Sequence, residues 1–200
     1  MAADPGTITN YSNGDSHLLS AALQKTAGET PLEFARAKLF APLGIQDVAW
    51  DHDPQGRSIG SAALQLRPVD MVKIGFLYLG GGQFEGRRIL EKGWVERSLS
   101  EHVKMPTKGG PADYGYYWWL YPERQVAEAW GGAGQRIGLI RDLKVVVVMT
   151  ADDPGDYPRA PLAAHIYDLV RESVKSSGKL PANPGAASDL AHVVSGLTTP

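Results

Sequence analysis

Near the start of the chain Tyr11 and Asn13 flank Ser12, directly ahead of a helical stretch. A phenol and a carboxamide at the mouth of a helix suit a site where an acyl group is attacked. The phenol oxygen relays a proton, and the amide orients a carbonyl or a catalytic amine. The same residues have a plain structural reading. Asn13-Gly14 is a turn pair, Asn13 suits a helix cap, and Tyr11 suits a buried phenol bonded to backbone. The triplet gains its weight from stretches further along the chain.

The elements that must hold it are readable from period and punctuation. Residues 15–27 carry Leu18, Leu19, Ala22 and Leu23 as a helical stripe stopped by Gly28. Thr30-Pro31-Leu32-Glu33 reads as a cap, a first-position proline and a capping glutamate, opening a helix that ends near Phe40. The spacing predicts irregular chain over 46–60 and a helix from Pro68 to the stop at Gly80-Gly81-Gly82. It predicts a hairpin over 83–90 turning at Glu85-Gly86, and a short helix over 91–100. Four strands come next, at 114–121, 126–130, 136–140 and 144–149. The last, with Val145 to Val148 unbroken, has the apolar centre expected of a strand buried on both faces. Residues 158–174 form an amphipathic helix through Leu162, Ile166, Leu169 and Val170, and Gly, Pro, Ala and Ser from Ser176 onward predict a mobile tail.

Helices, then antiparallel strands, then a helix to cover them make an α+β fold. The expected division is a mainly helical part over about 8–110, a sheet with its terminal helix over 111–175, and a tail over 176–200. A four-stranded sheet with so apolar a centre is expected to be incomplete, needing partners at its edges.

Composition removes several function classes. Hydrophobic residues at 43% and charged residues at 21% mark a folded chain of 200 residues, one domain or one large piece of a domain. A net charge of -2, with both signs interspersed, gives no electrostatic case for nucleic acid or an anionic membrane. The absence of cysteine excludes disulfides, thiolate metal sites and cysteine nucleophiles. No apolar run is long enough to span a bilayer, and Met1 to Gly6 has neither the basic nor the apolar segment of a signal peptide.

Three stretches, in this order, make the chain resemble the serine β-lactamase and penicillin-binding-protein-like hydrolases, in the branch near class C β-lactamases and related esterases. The first is Pro5-Gly6-Thr7, Tyr11-Ser12-Asn13 and the helix from Leu18 to Leu23. The second runs from Ile59-Gly60-Ser61 through Leu66-Arg67-Pro68-Val69-Asp70-Met71 to Gly75-Phe76-Leu77-Tyr78. The third is Tyr114-Gly115-Tyr116 with Trp118-Trp119, then Trp130-Gly131-Gly132-Ala133-Gly134-Gln135 and the valine-rich strand. The resemblance covers roughly residues 5 to 175.

Such enzymes use the serine of a Ser-x-x-Lys turn to attack an ester or amide and form an acyl-enzyme, while the tyrosine of Tyr-x-Asn shuttles the proton. The resemblance implies Tyr11 as general acid/base and Asn13 as orienter. It places Trp130, Gly131, Gly132, Gly134 and Gln135 on the substrate and oxyanion side, where a Lys-Thr-Gly box would stand. That box is here Trp130-Gly131 after Ala129, without cation or hydroxyl, which favours an esterase, amidase or peptidase-like member over a true β-lactamase. The nucleophile segment should precede Tyr11 by many residues. The one literal Ser-x-x-Lys, Ser176 to Lys179, lies in the tail, is interrupted by glycine and is read as chance.

The chain is therefore expected to be the C-terminal part of a serine hydrolase acting on a small ester or amide, inactive alone. The missing N-terminal portion, or a second copy, would complete the sheet. The alternative is a binding or assembly module that keeps the fold without the nucleophile. No cofactor or metal is implied: Asp51-His52-Asp53 reads as solvated loop, and His17 has no evident partner in the sequence. The resemblance is compatible with a periplasmic or secreted location and fixes none.

Overall fold

Ser12 and Thr30 start the first two helices by satisfying backbone N–H groups that a helix terminus leaves open. The Ser12 hydroxyl accepts the Asp15 N–H at 3.2 Å, and α1 (Asn13–Ala27) runs from there to Gly28, left-handed at φ 76°. Thr30 and Glu33 form the full reciprocal cap of α2 (Pro31–Ala35). The chain then continues through a wide turn at Arg36–Phe40 and a tight one at Ala41–Leu43. The computed structural model describes residue 4 and residues 6–105, 112–152, 160–174 and 181–196.

Next come β1 (Ala49–Trp50) paired with β2 (Leu64–Gln65), α3 (Pro68–Leu79), the hairpin of β3 (Gln83–Phe84) and β4 (Arg87–Arg88), and α4 (Lys92–Ser98). The hairpin turns at Glu85 and Gly86, φ 47° and 78°, as its sequence predicts. Phe40, Leu43, Ile45, Val48 and Leu77 form the core of this part, each contributing about 1.5–3 kcal/mol by leaving water. The stripe expected on α1 does not join it: Leu18 and Leu19 are 67% and 60% exposed, and Ser20 is buried instead. The body offers α1 the polar segment around Ser58, whose carbonyl accepts the Ser20 hydroxyl at 2.5 Å, so polar contacts decide which helix face turns inward.

Among the described residues the sheet has six antiparallel strands, not four. In spatial order they are β10 (Val145–Met149), β9 (Arg136–Ile140), β8 (Val126–Trp130), β7 (Trp119–Tyr121), β6 (Ala112–Tyr114) and β5 (Val103–Met105). The single aromatic strand expected over 114–121 is two strands joined by a turn. Tyr117 takes φ 64° there, and the Gly115 N–H donates to the Trp118 carbonyl at 2.8 Å. Trp118, 4% exposed and packed on Tyr78, holds this turn against the high strand propensity of its own residues. The valine strand stands at the sheet's edge, half-buried rather than central. Its alternation still divides it between two layers: Val146 packs on the α3 side, and Val145, Val147 and Met149 on the opposite face.

That opposite face is covered by α5 (Ala160–Ser173), through Ala163 and Tyr167 with Val170 beside them. Leu169, placed on the apolar stripe by period alone, is 47% exposed, because the inward face is 163, 167 and 170. Tyr167 can lie flat on β9 because Gly138 faces it: a Cβ there would stand 2.3 Å from the phenol oxygen. A final helix, α6 (Pro184–Gly196), forms where irregular chain is expected from composition. The Asn183 side chain caps it, and Leu190 and Val193 stay 65% and 61% exposed, so local capping rather than packing makes it. Ser176 to Lys179 lies outside the described residues. Among the described residues no helix is long and apolar enough to cross a membrane.

Candidate active site

The cap of α1 falls to Ser12, which leaves Asn13 as an exposed residue of the first turn, free of capping duty. Tyr11, one residue before the cap, is 48% exposed. Its ring lies nearly parallel to Trp119 at 6.0 Å between centroids and edge-on to Tyr114 at 6.3 Å. Trp119 in turn stacks on Trp130 at 4.5 Å. The structure thus brings Tyr11 and Trp130, over a hundred residues apart in the chain, to one aromatic cluster built on β6, β7 and β8.

Beyond Trp130 the chain makes a tight connection to β9. Gly131 is extended, and its N–H donates to the Gln135 carbonyl at 2.8 Å, closing the hairpin. Ala133 and Gly134 take φ 57° and 96°. A Cβ on Gly134 would stand 3.0 Å from the Ala151 methyl, so glycine is required there for both shape and room. The Gln135 amide donates to the carbonyls of Ala133, at 3.5 Å, and Ala151, which makes it a tie across the turn. Gly132 differs from these: it is exposed, and a Cβ there would meet open space.

Period and spacing miss several residues of this region. Glu128, on β8 two positions before Trp130, is 2% exposed, and Arg136, opposite Trp130 on β9, is 7% exposed. They pair with each other, and the Arg136 guanidinium also lies over the Trp130 ring at 4.6 Å. Tyr121 and Tyr167 lie beside them. Burial, and then the negative charge of Glu128, push both phenols well above the ordinary tyrosine range, so both keep their protons. No local motif marks such a cluster, because its members come from three strands and a helix.

His17 also has a partner, against the expectation. Its Nε2 lies 3.1 Å from Asp53 Oδ2, and its Nδ1 accepts the Gly60 N–H at 3.3 Å. Acceptance at Nδ1 puts the proton on Nε2, and with both nitrogens engaged His17 has none left to act as a base. Asp53 is therefore more than solvated loop. The backbone N–H of Arg57 and then His17 hold its carboxyl below the usual range. Its contacts pin the 51–60 segment against α1 and so orient the helix that carries Asn13. Among the described residues no group of three or more His, Asp or Glu is placed to hold a metal ion.

A sequence model of the beta-lactamase family matches residues 1–172. No curated protein matches the chain. Solved structures share its fold at low identity. A protein assigned as a 6-aminohexanoate-dimer hydrolase from Bacillus anthracis superposes with TM-score 0.73 at 22% identity, covering 85% of this chain and 44% of that one. A beta-lactamase from Mycobacterium bovis gives 0.66 at 17% identity, covering 85% and 66%. EstCE1, a hydrolase with promiscuous acyltransferase activity, gives 0.69 at 17%, covering 84% and 57%. The chain thus spans between under half and two thirds of the length of these structures. With the family match extending over most of its residues, the chain belongs to the beta-lactamase family.

Proposed function

We propose that this chain carries the proton-transfer and substrate-side half of a serine hydrolase that cleaves an uncharged ester or amide through an acyl-enzyme. The nucleophilic Ser-x-x-Lys turn is supplied by polypeptide outside this chain. The observation that carries the reading is the meeting of Tyr11, with its phenol partly in solvent, and the Trp130 to Gly134 connection at one aromatic cluster. In that arrangement Tyr11 is the general acid/base, Asn13 the orienter, and the exposed backbone at Gly132 the approach to the substrate carbonyl. The proton moves from the attacking hydroxyl, through the phenol, to the leaving group. The names of the similar structures, hydrolases among them, agree with this chemistry.

The exposed Leu18 and Leu19, and the outer edge of β10, are the surfaces on which the rest of the protein, or a second copy, completes the fold.

Preference for an uncharged substrate follows from the electrostatics. Among the described residues, Arg136 lies over the Trp130 ring but is buried against Glu128, so it is not available to an incoming carboxylate. Arg136 therefore offers anionic substrates no charge-assisted bond, an interaction of about 1.5–3 kcal/mol. On the protein expressed from its full reading frame, kcat/KM for p-nitrophenyl butyrate should exceed that for mono-p-nitrophenyl succinate by about 10- to 100-fold. Equal or better turnover of the anionic ester would contradict it.

A further inference from the structure

We propose that Glu128 is a positioning residue for this site: its buried carboxylate fixes the Trp130 indole, and through it the Gly131–Gly134 connection, for acyl transfer. The inference rests on the acyl-transfer reading above. Glu128 and Trp130 project from the same face of β8, and both carboxylate oxygens are occupied. Oε2 accepts the Trp130 Nε1–H at 2.6 Å and an Arg136 N–H at 3.2 Å. Oε1 accepts the Tyr167 hydroxyl and the same guanidinium at 3.3 Å. At 2% exposure, ringed by donors, Glu128 cannot touch substrate, so it acts through what it holds.

Trp130 is held at three places, one of them by Glu128 itself and one by the Arg136 that Glu128 pairs with. The carboxylate takes the indole edge, the Arg136 guanidinium lies on the ring at 4.6 Å, and Trp119, against which Tyr11 lies, stacks on it at 4.5 Å. A buried ion pair of this kind is a poor source of stability, because its desolvation offsets most of its attraction, and an apolar pair of similar volume often does as well. What such a network supplies is one defined orientation. Here the oriented group is the residue that opens the connection on the substrate side and backs the ring stack beneath Tyr11.

The test separates orientation from stability. In the full-length protein, Glu128→Leu combined with Arg136→Met replaces the ion pair by an apolar pair and should leave the protein folded, its melting temperature lowered by several degrees because the Tyr167 hydroxyl loses its acceptor. With p-nitrophenyl butyrate, kcat should fall about 10- to 100-fold while KM stays within about twofold, the signature of misplaced reacting groups. Trp130→Phe should reproduce the loss, and the triple variant should be no worse than either, since both changes remove one contact. Should the apolar pair fail to fold, Glu128→Gln, which retains an acceptor for the indole, should keep kcat within about threefold while Trp130→Phe loses it, and a Glu128→Gln loss as large as that of Trp130→Phe would overturn the proposal. Full kcat in the folded apolar pair or in Trp130→Phe, or losses that multiply when the two are combined, overturns the proposal while leaving acyl transfer intact. An unsubstituted protein that turns over no ester overturns both.

Discussion

Replacing Tyr11 by Phe should lower kcat of the full-length protein toward a neutral aryl ester by about 10²- to 10⁴-fold, the usual share of a positioned acid/base. KM should barely move, because the lost function is proton transfer rather than ground-state binding. The fold should survive the change. Phe retains the ring against Trp119 and Tyr114, so the protein should stay folded, with a stability change of about 1 kcal/mol or less. Circular dichroism melts beside steady-state rates check both halves. A Tyr11→Phe protein with full kcat would make Tyr11 a member of the aromatic cluster and nothing more.

The second large effect is on stability, at Asp70. This carboxylate is 0% exposed in the first turn of α3, with Arg67 Nε at 2.7 Å and Lys73 Nζ at 2.9 Å. Lys73 also donates to the Gly44 carbonyl at 2.9 Å, tying α3 to the end of the turn at Ala41–Leu43. The hydrogen bond from Arg67 first, then that from Lys73, holds the Asp70 carboxyl below the ordinary range. Removing one partner of a fully buried pair costs about 3–5 kcal/mol. Both cations here reach water, with Arg67 53% and Lys73 25% exposed, so Asp70→Asn should cost about 2 kcal/mol, or about 4–8 °C of melting temperature.

The pH dependence of that loss has a definite sign. A carboxyl with a depressed folded pKa contributes stability above its unfolded pKa of about 4 and loses it as pH falls through the folded value. The gap between wild type and Asp70→Asn should therefore be full at pH 7 and close progressively below about pH 4. A gap independent of pH would place the effect in packing rather than charge.

The sequence reveals those parts of the fold that local rules determine. Thr30 with Glu33, Glu85-Gly86, Pro68 and the two strands at 126–130 and 136–140 all stand where capping, turn chemistry and period put them. The failures are tertiary in origin. The aromatic run at 114–121 has strand propensity throughout, and only the burial of Trp118 against Tyr78 explains its turn. The Leu18-Leu19 stripe marks a face that wants cover, but period does not say which molecule provides it. At the candidate site, Tyr11, Asn13 and Trp130 are visible because a motif marks them. Glu128, Arg136 and the His17–Asp53 pair are not, because each depends on residues brought together from distant segments.

The decisive measurement is the intact mass, with peptide mapping, of the protein expressed from its full reading frame after treatment with a fluorophosphonate or a penicillin-type acylating probe. An adduct on a serine of an upstream Ser-x-x-Lys turn, formed far more slowly by Tyr11→Phe, is the expected result. A folded full-length protein that takes no adduct from either class of probe would contradict acyl-enzyme chemistry and leave a binding or assembly module built on the beta-lactamase fold.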